Sequence, residues 1–233
     1  HKFRYFTEKE IVLILHSFLI EAKPHSRPYM ASLQYQEHHS CGGMLIREDF
    51  VLTAAHCKGP STVVLGAHDI SKKEKSQQRI KVAKYYPHPK FSGKYDYDIM
   101  LLKVKEYQIL YQNKTIKLPK KNGKTPANVK CHVVGWGRTG NDLRPSNVLK
   151  EATEKTQFSS DLCVAYLFLY LSIYRSVFYF LPQGVTAFIM KDNCNNPKYP
   201  HVFTKVNFFI AWMKEKMKEE RFVARVTTQS FTG

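Results

Sequence analysis

Hydrophobic residues recur along most of this chain in short runs separated by Gly, Pro, Ser and Asp. In the first half these runs predict five β-strands, at 44–46, 50–54, 62–65, 79–86 and 99–104, after a proline-broken approach to a first strand at 21–32. Polar stretches at 116–119 and 122–128 form a linker, and runs at 129–138 and 148–157 predict strands of a second unit. Many short strands between turns are typical of a β-sandwich or β-barrel.

The pattern changes near the C-terminus, where apolar residues recur at helical spacing. Val206, Phe209, Ile210, Met213 and Met217 share one side of a helix, with lysines and glutamates on the other side. This pattern predicts an amphipathic helix that packs on a barrel, with its methionines in the core. We expect a loose tail at 220–233.

A continuous apolar run at 162–181 fits neither pattern. Its twenty residues are enough to span a membrane. However, Arg175 inside the run costs about 2.5–3.5 kcal/mol on an insertion scale, and the Tyr and Phe rings crowd the run itself instead of its ends. We therefore expect the segment 162–183 to disturb the second β-unit, and membrane insertion is the less favoured alternative.

The composition limits the class of protein and of partner. The chain has 233 residues and 43% hydrophobic residues, which suits an all-β protein with a sizeable core. Lys and Arg number 36 against 19 Asp and Glu, so the net charge is +17. Such a charge attracts sulfated glycosaminoglycans or other polyanions, although a solvated surface explains it equally well. We expect no nucleic acid partner, because no nucleic-acid-binding motif accompanies the charge.

The candidate chemistry centres on His56, which follows Thr53-Ala54-Ala55 and precedes Cys57. Cys41 lies sixteen residues before Cys57, and a bond between the two would close a short loop and fix the histidine backbone. Asp98 stands at the head of an apolar strand, forty-two residues after His56. A buried carboxylate beside an imidazole holds the tautomer of the ring and stabilises its protonated form during acyl transfer. We expect His56 and Asp98 to be catalytic, as general base and orienting acid.

Five motifs carry a resemblance to a known family: SCGG at 40–43, VLTAAHC at 51–57, DIMLL at 98–102, GWGRT at 135–139 and PHVFTKV at 200–206. In this order they resemble the chymotrypsin-fold serine proteases, and most closely the granzyme and mast-cell-protease branch. The resemblance covers 21–158 and 184–219. It implies an all-β fold of two Greek-key barrels with a C-terminal helix, the second barrel being incomplete here.

The resemblance also implies a site and a setting. Ala187, Phe188 and Ile189 would line the substrate cleft, and Cys41 would pair with Cys57. The substrate would be a peptide or protein. We expect no cofactor and no metal, a monomer, and a secreted or secretory-granule location. The peptidase domain would occupy 21–219, preceded by a segment at 1–20 that lacks the family's Ile-Val or Ile-Ile start.

The nucleophile is the main departure from the family pattern. The family's Gly-Asp-Ser-Gly-Gly-Pro motif is absent, and the serines of this region, at 159, 160, 172 and 176, have no glycine neighbours. We expect a serine endopeptidase by family that is inactive in this chain. Two accounts stay open: a translated gene model that skips the exon with the nucleophile, and a pseudoprotease that binds peptides or polyanions.

Two further features carry weaker predictions. Asn113 begins the sequon Asn-Lys-Thr in a polar loop and is a candidate glycosylation site. His25, His38 and His39 could in principle bind a metal, but no carboxylate or cysteine spacing supports this.

Overall fold

The computed structural model describes residues 11–12, 20–57, 59–94, 96–105, 114–120, 130–137, 145–155, 168–173, 179–188 and 202–229. These residues form thirteen strands and one long helix. The strands are β1 (Ile11–Val12), β2 (Ile20–Glu21), β3 (Met30–Tyr35), β4 (His38–Arg47), β5 (Phe50–Thr53), β6 (Thr62–Leu65), β7 (Gln78–Pro87), β8 (Met100–Val104), β9 (Lys130–Gly135), β10 (Lys150–Lys155), β11 (Phe168–Ile173), β12 (Tyr179–Phe188) and β13 (Val202–Lys205). All pairings between them are antiparallel.

The N-terminal half forms a closed six-stranded barrel in the order β3-β4-β5-β8-β7-β6. The strands predicted for this half are confirmed, and β6 has the predicted bounds. The prediction for β4 was too short, because two glycines and polar residues interrupt its apolar pattern. Side chains from the alternate positions of these strands fill the interior, including the fully buried Leu33, Phe50, Leu52 and Leu65.

The second unit is a seven-stranded sheet in the order β1-β13-β12-β11-β9-β10-β2. Over the described residues this sheet does not close into a second barrel, and the incomplete barrel stays a prediction. The central part of the unusual apolar run is β11, which pairs with β9 on one side and β12 on the other. Its Phe, Leu, Tyr and Ile residues favour a strand that lies between two neighbours.

A membrane span is the alternative for the run at 162–181. Among the described residues, no helix is long and apolar enough to cross a membrane. The described parts of the run, at 168–173 and 179–181, lie in strands β11 and β12 of the sheet.

The C-terminal helix is confirmed but is longer than predicted. A 3-10 helix at Val206–Phe209 leads into α1 (Ile210–Gln229). Val206, Phe209, Ile210 and Met213 are buried, as the helical spacing predicted. The tail expected from 220 is wrong over most of its length, because α1 continues through it to Gln229. The helix is also attached there, since the buried carboxylate of Glu220 contacts two lysines and a tyrosine of the barrel.

Backbone and side-chain contacts join the barrel to the sheet. The N–H of Ile70, in the loop after β6, donates to the carbonyl of Asn147 at 2.8 Å, and the N–H of Leu149 donates to the carbonyl of His68 at 3.0 Å. The indole N–H of the fully buried Trp136 also donates to the carbonyl of His68, at 2.9 Å. These bonds hold the sheet against one side of the barrel.

Candidate active site

His56 is positioned by the end of β5 and by a disulfide. The hydroxyl of Thr53, the last residue of β5, donates to the carbonyl of Gly42 at 2.8 Å. A turn follows, in which the N–H of Cys57 donates to the carbonyl of Ala54 at 3.3 Å. The predicted bond between Cys41 and Cys57 is present and joins the residue after His56 to β4. The short loop that carries the imidazole is therefore attached to the barrel at both ends.

Asp98 lies two residues before β8 and points at this loop. Its side chain is 1% exposed, whereas that of His56 is 36% exposed. The imidazole Nδ1 of His56 lies 2.6 Å from Oδ2 of Asp98, and the main-chain N–H of His56 donates to Oδ1 at 2.8 Å. The carboxylate thus holds both the ring and the backbone of the histidine.

The barrel topology explains why two residues so far apart in sequence meet. Thr53 pairs with Met100 at the end of the β5–β8 ladder. His56 follows Thr53 and Asp98 precedes Met100, so the antiparallel pairing brings both residues to the same end of the barrel. The sheet adds one contact, because the hydroxyl of Thr204 in β13 donates to the carbonyl of Asp98 at 3.1 Å.

An aromatic cluster supports the backbone next to Asp98. Tyr97 has φ of 56°, in the left-handed region that a bulky side chain seldom adopts. Its ring stacks on that of His88 with centroids 4.9 Å apart, and His88 also packs against Phe209 and Trp212. Burial, followed by the charge of Lys90, lowers the pKa of His88. This packing offsets backbone strain of about 1–3 kcal/mol beside the site. A histidine between two prolines is the only trace of this cluster in the sequence pattern.

The expected cleft residues fall partly outside the described structure. Ala187 and Phe188 end β12, and a β-bulge lies between Thr186 and Phe188 where β12 pairs with β13. Bulges often occur beside active sites, where they redirect side chains. The side chains of both residues, and Ile189 entirely, lie outside the described residues, as does the candidate glycosylation site Asn113.

A second serine–histidine contact lies in the barrel, and sequence reasoning missed it. The hydroxyl of Ser32 and Nδ1 of His39 are 2.8 Å apart. Ser32 is fully buried, and burial lowers the pKa of His39 to about 4. A nucleophile must reach its substrate, so we interpret this pair as a buried structural contact.

Within the described part of the chain, one group of potential metal ligands includes the candidate base His56. Single ligand atoms of Cys41, His56 and Cys57 lie within 4.8 Å of one another. The two sulfur atoms are bonded to each other, and a cysteine binds metal as a thiolate. This group therefore does not suit a metal ion in the oxidised protein.

The fold and this His–Asp arrangement define a serine-protease class of protein, and comparisons with known proteins agree. Residues 19–169 match the family model described as Trypsin, and the chain belongs to that family. It is 41% identical over 223 residues to granzyme B of Rattus norvegicus, covering 85% of this chain and 90% of that protein. It is 39% identical to mast cell protease 2 of Ovis aries, covering 85% and 89%. The solved human heparin binding protein superposes with a TM-score of 0.72 at 27% identity, covering 84% of this chain and 94% of that one.

Proposed function

We propose that His56 and Asp98 are the general base and orienting acid of a serine-endopeptidase site. The observation that carries this proposal is the 2.6 Å contact between Nδ1 of a partly exposed imidazole and a carboxylate that is 1% exposed. In acyl-transfer chemistry such a carboxylate holds the ring so that its other nitrogen can take the proton of an attacking hydroxyl. Membership of the trypsin family supports peptides or proteins as the substrates.

We further propose that this chain does not hydrolyse peptide bonds. The sequence has no serine between glycines, and a tight exposed turn of that kind is what presents the nucleophile and the oxyanion donors in the family motif. Loss of the nucleophile from such a triad costs about a millionfold in turnover. The remaining site would bind peptide segments along β12, through Ala187, Phe188 and Ile189, without cleaving them.

The test compares the wild-type chain with His56→Ala in hydrolysis of peptide esters and amides and in labelling by a serine-directed phosphonate. We expect neither protein to turn over substrate above the buffer rate or to take up label. Stoichiometric labelling that disappears when one of the serines at 159, 160, 172 or 176 is changed to Ala would contradict the proposal. We expect the wild-type chain to bind members of a fluorescent peptide library, and Phe188→Ala to bind them more weakly.

Polyanion binding is the second candidate function. Two observations favour it: the net charge of +17, and the structural similarity to a protein whose name states that it binds heparin. The disulfide and the granzyme and mast-cell-protease relatives support a secreted or granule location, where sulfated glycosaminoglycans are available. We expect retention on a heparin column and elution that depends steeply on salt. Elution at low salt, as for a neutral protein, would contradict this function.

The remaining expectations can be tested on the same material. We expect a monomer, which sedimentation at several protein concentrations would test. We also expect alkaline carbonate to release the chain from membranes. Release into the supernatant would contradict membrane insertion, and retention in the pellet would favour it.

A further inference from the structure

Two pairs of lysines face each other across β7 and β8 on the outside of the closed barrel. The N–H of Lys105 donates to the carbonyl of Lys81 at 3.2 Å, which places these residues opposite each other just beyond the end of β8. Lys84 is the register partner of Lys103. We call these four residues the lysine strip. Like charges directly opposite each other destabilise a sheet.

A β-bulge brings the lysine strip onto one face. Lys81 and Lys84 are three residues apart, and side chains at that spacing in a regular strand point to opposite faces. The register shift between Val82 and Lys84 adds one residue to β7 and restores the outward direction. Lys81, Lys84 and Lys105 are accordingly exposed, and Lys103 is partly exposed.

A carboxylate from α1 forms ion pairs with only one of the two lysine pairs. Glu220 contacts the ammonium of Lys103 at 2.6 Å and that of Lys84 at 3.2 Å, and it accepts a hydrogen bond from the hydroxyl of Tyr86. Lys81 and Lys105 take part in none of the ion pairs found within the described structure. The strip therefore binds one anion already, from its own chain, and has a second cationic pair beside it.

We propose that the lysine strip binds a linear sulfated polyanion of the glycosaminoglycan class, and that Glu220 competes with this ligand for Lys84 and Lys103. The inference rests on the polyanion-binding function proposed above and gives it a location and an internal competitor. Paired ammonium groups along a strand present a row of point charges, which suits successive sulfate groups on an extended chain. Displacement of Glu220 would double the number of lysines available to the ligand.

The surroundings of the strip favour a polysaccharide over a nucleic acid. Single-stranded nucleic acids gain most of their affinity beyond charge by stacking bases on aromatic rings. The neighbouring Tyr85 is 44% exposed, but its hydroxyl is held by the carbonyl of Pro60 at 2.6 Å. Among the described residues beside the strip, this one anchored ring does not form a stacking platform, so we take the charges themselves as the recognition element.

The experiment measures heparin affinity as a function of salt for the wild type and three variants. Lys81→Ala/Lys105→Ala removes the uncompensated pair. Lys73→Ala/Lys75→Ala is the matched control, because it removes the same charge from exposed positions in the loop before β7. We expect the first double variant to bind heparin about tenfold more weakly near physiological salt. The slope of log affinity against log salt concentration should become shallower by about two, since each lysine that releases a counterion contributes nearly one to that slope. The control should change affinity no more than about twofold.

Glu220→Gln tests the competition directly. It retains the size of the side chain and removes its charge, so we expect binding to become several-fold tighter with a steeper salt slope. Unchanged or weaker binding by a folded Glu220→Gln would overturn the competition. Equal losses in the two double variants would overturn the location while leaving polyanion binding intact. Absence of heparin binding by the wild type would overturn both. Tighter binding to single-stranded DNA of matched charge, or to phosphatidylserine vesicles, would overturn the ligand class.

Discussion

Glu220 provides a quantitative test of how the C-terminal helix is attached to the barrel. Burial raises the pKa of this carboxyl, but the hydrogen bonds from Lys103, Tyr86 and Lys84 outweigh that effect and bring the pKa from 4.5 to about 2. A carboxyl whose pKa is lower in the folded state stabilises the protein at pH values above its unfolded-state pKa. This contribution is lost as the pH falls through the folded-state pKa. The window for Glu220 is therefore pH 4.5 to about 2.

The size of the effect follows from the same interval. At about 1.4 kcal/mol for each pH unit, the interval from 4.5 to about 2 corresponds to at most about 3 kcal/mol. The side chain of Glu220 is 10% exposed but that of Lys84 is 56% exposed, so solvent screens part of the interaction. We expect Glu220→Gln to lower the free energy of unfolding by about 2 kcal/mol at pH 7.

The assay is urea unfolding at pH 7 and pH 3, followed by fluorescence of the two tryptophans. Between these values the wild type should lose about 1–2 kcal/mol more stability than Glu220→Gln, because only the wild type still has this carboxylate to protonate. Glu219→Gln is the control, since its ion pair with Lys216 is on the surface and should contribute little. Parallel pH profiles for the wild type and Glu220→Gln would refute the reasoning.

Two further predictions concern the segment that carries the candidate base. Cys41→Ser/Cys57→Ser should lower the free energy of unfolding by about 3 kcal/mol, because the bond closes a loop with a sequence separation of 16; a change below about 1 kcal/mol in urea unfolding would contradict this. Gly43→Ala should destabilise the barrel by about 1–3 kcal/mol, because the added methyl group would lie 2.6 Å from Cγ1 of Val51. A melting temperature equal to that of the wild type would contradict this prediction, because it would mean that β4 and β5 move apart without loss of stability.

The sequence predicted the barrel well because local pattern and tertiary structure agree there. The run at 62–65 is bounded by turn residues and has the same bounds in the structure. The contact between His56 and Asp98 was predicted from motif resemblance, and the structure places the two side chains together. Local pattern could not predict the secondary structure of the apolar run at 162–181, because a continuous apolar segment suits both a strand between two neighbours and a membrane span.

The role of Glu220 could not be predicted for a different reason. A glutamate among lysines near the end of an amphipathic helix has the pattern of a solvated residue, and the helical spacing gives no information about what lies opposite. Its partners are in β7 and β8, which are distant in sequence, and they face it only because those strands are paired. This contact holds α1 to the barrel three residues beyond Met217, which packs partly buried against the core.

The two units of the structure carry different parts of the proposed site. His56 and Asp98 are placed by β5 and β8, which belong to the same closed barrel, and by a disulfide within that barrel. The sheet contacts this pair through the hydroxyl of Thr204, which donates to the carbonyl of Asp98. The family's nucleophile and cleft strand would instead come from the second unit, which is the unit that contains the unusual apolar run. We therefore expect changes in that run to alter the proposed cleft more than the contact between the imidazole and the carboxylate, because β5, β8 and the disulfide of the closed barrel hold that contact.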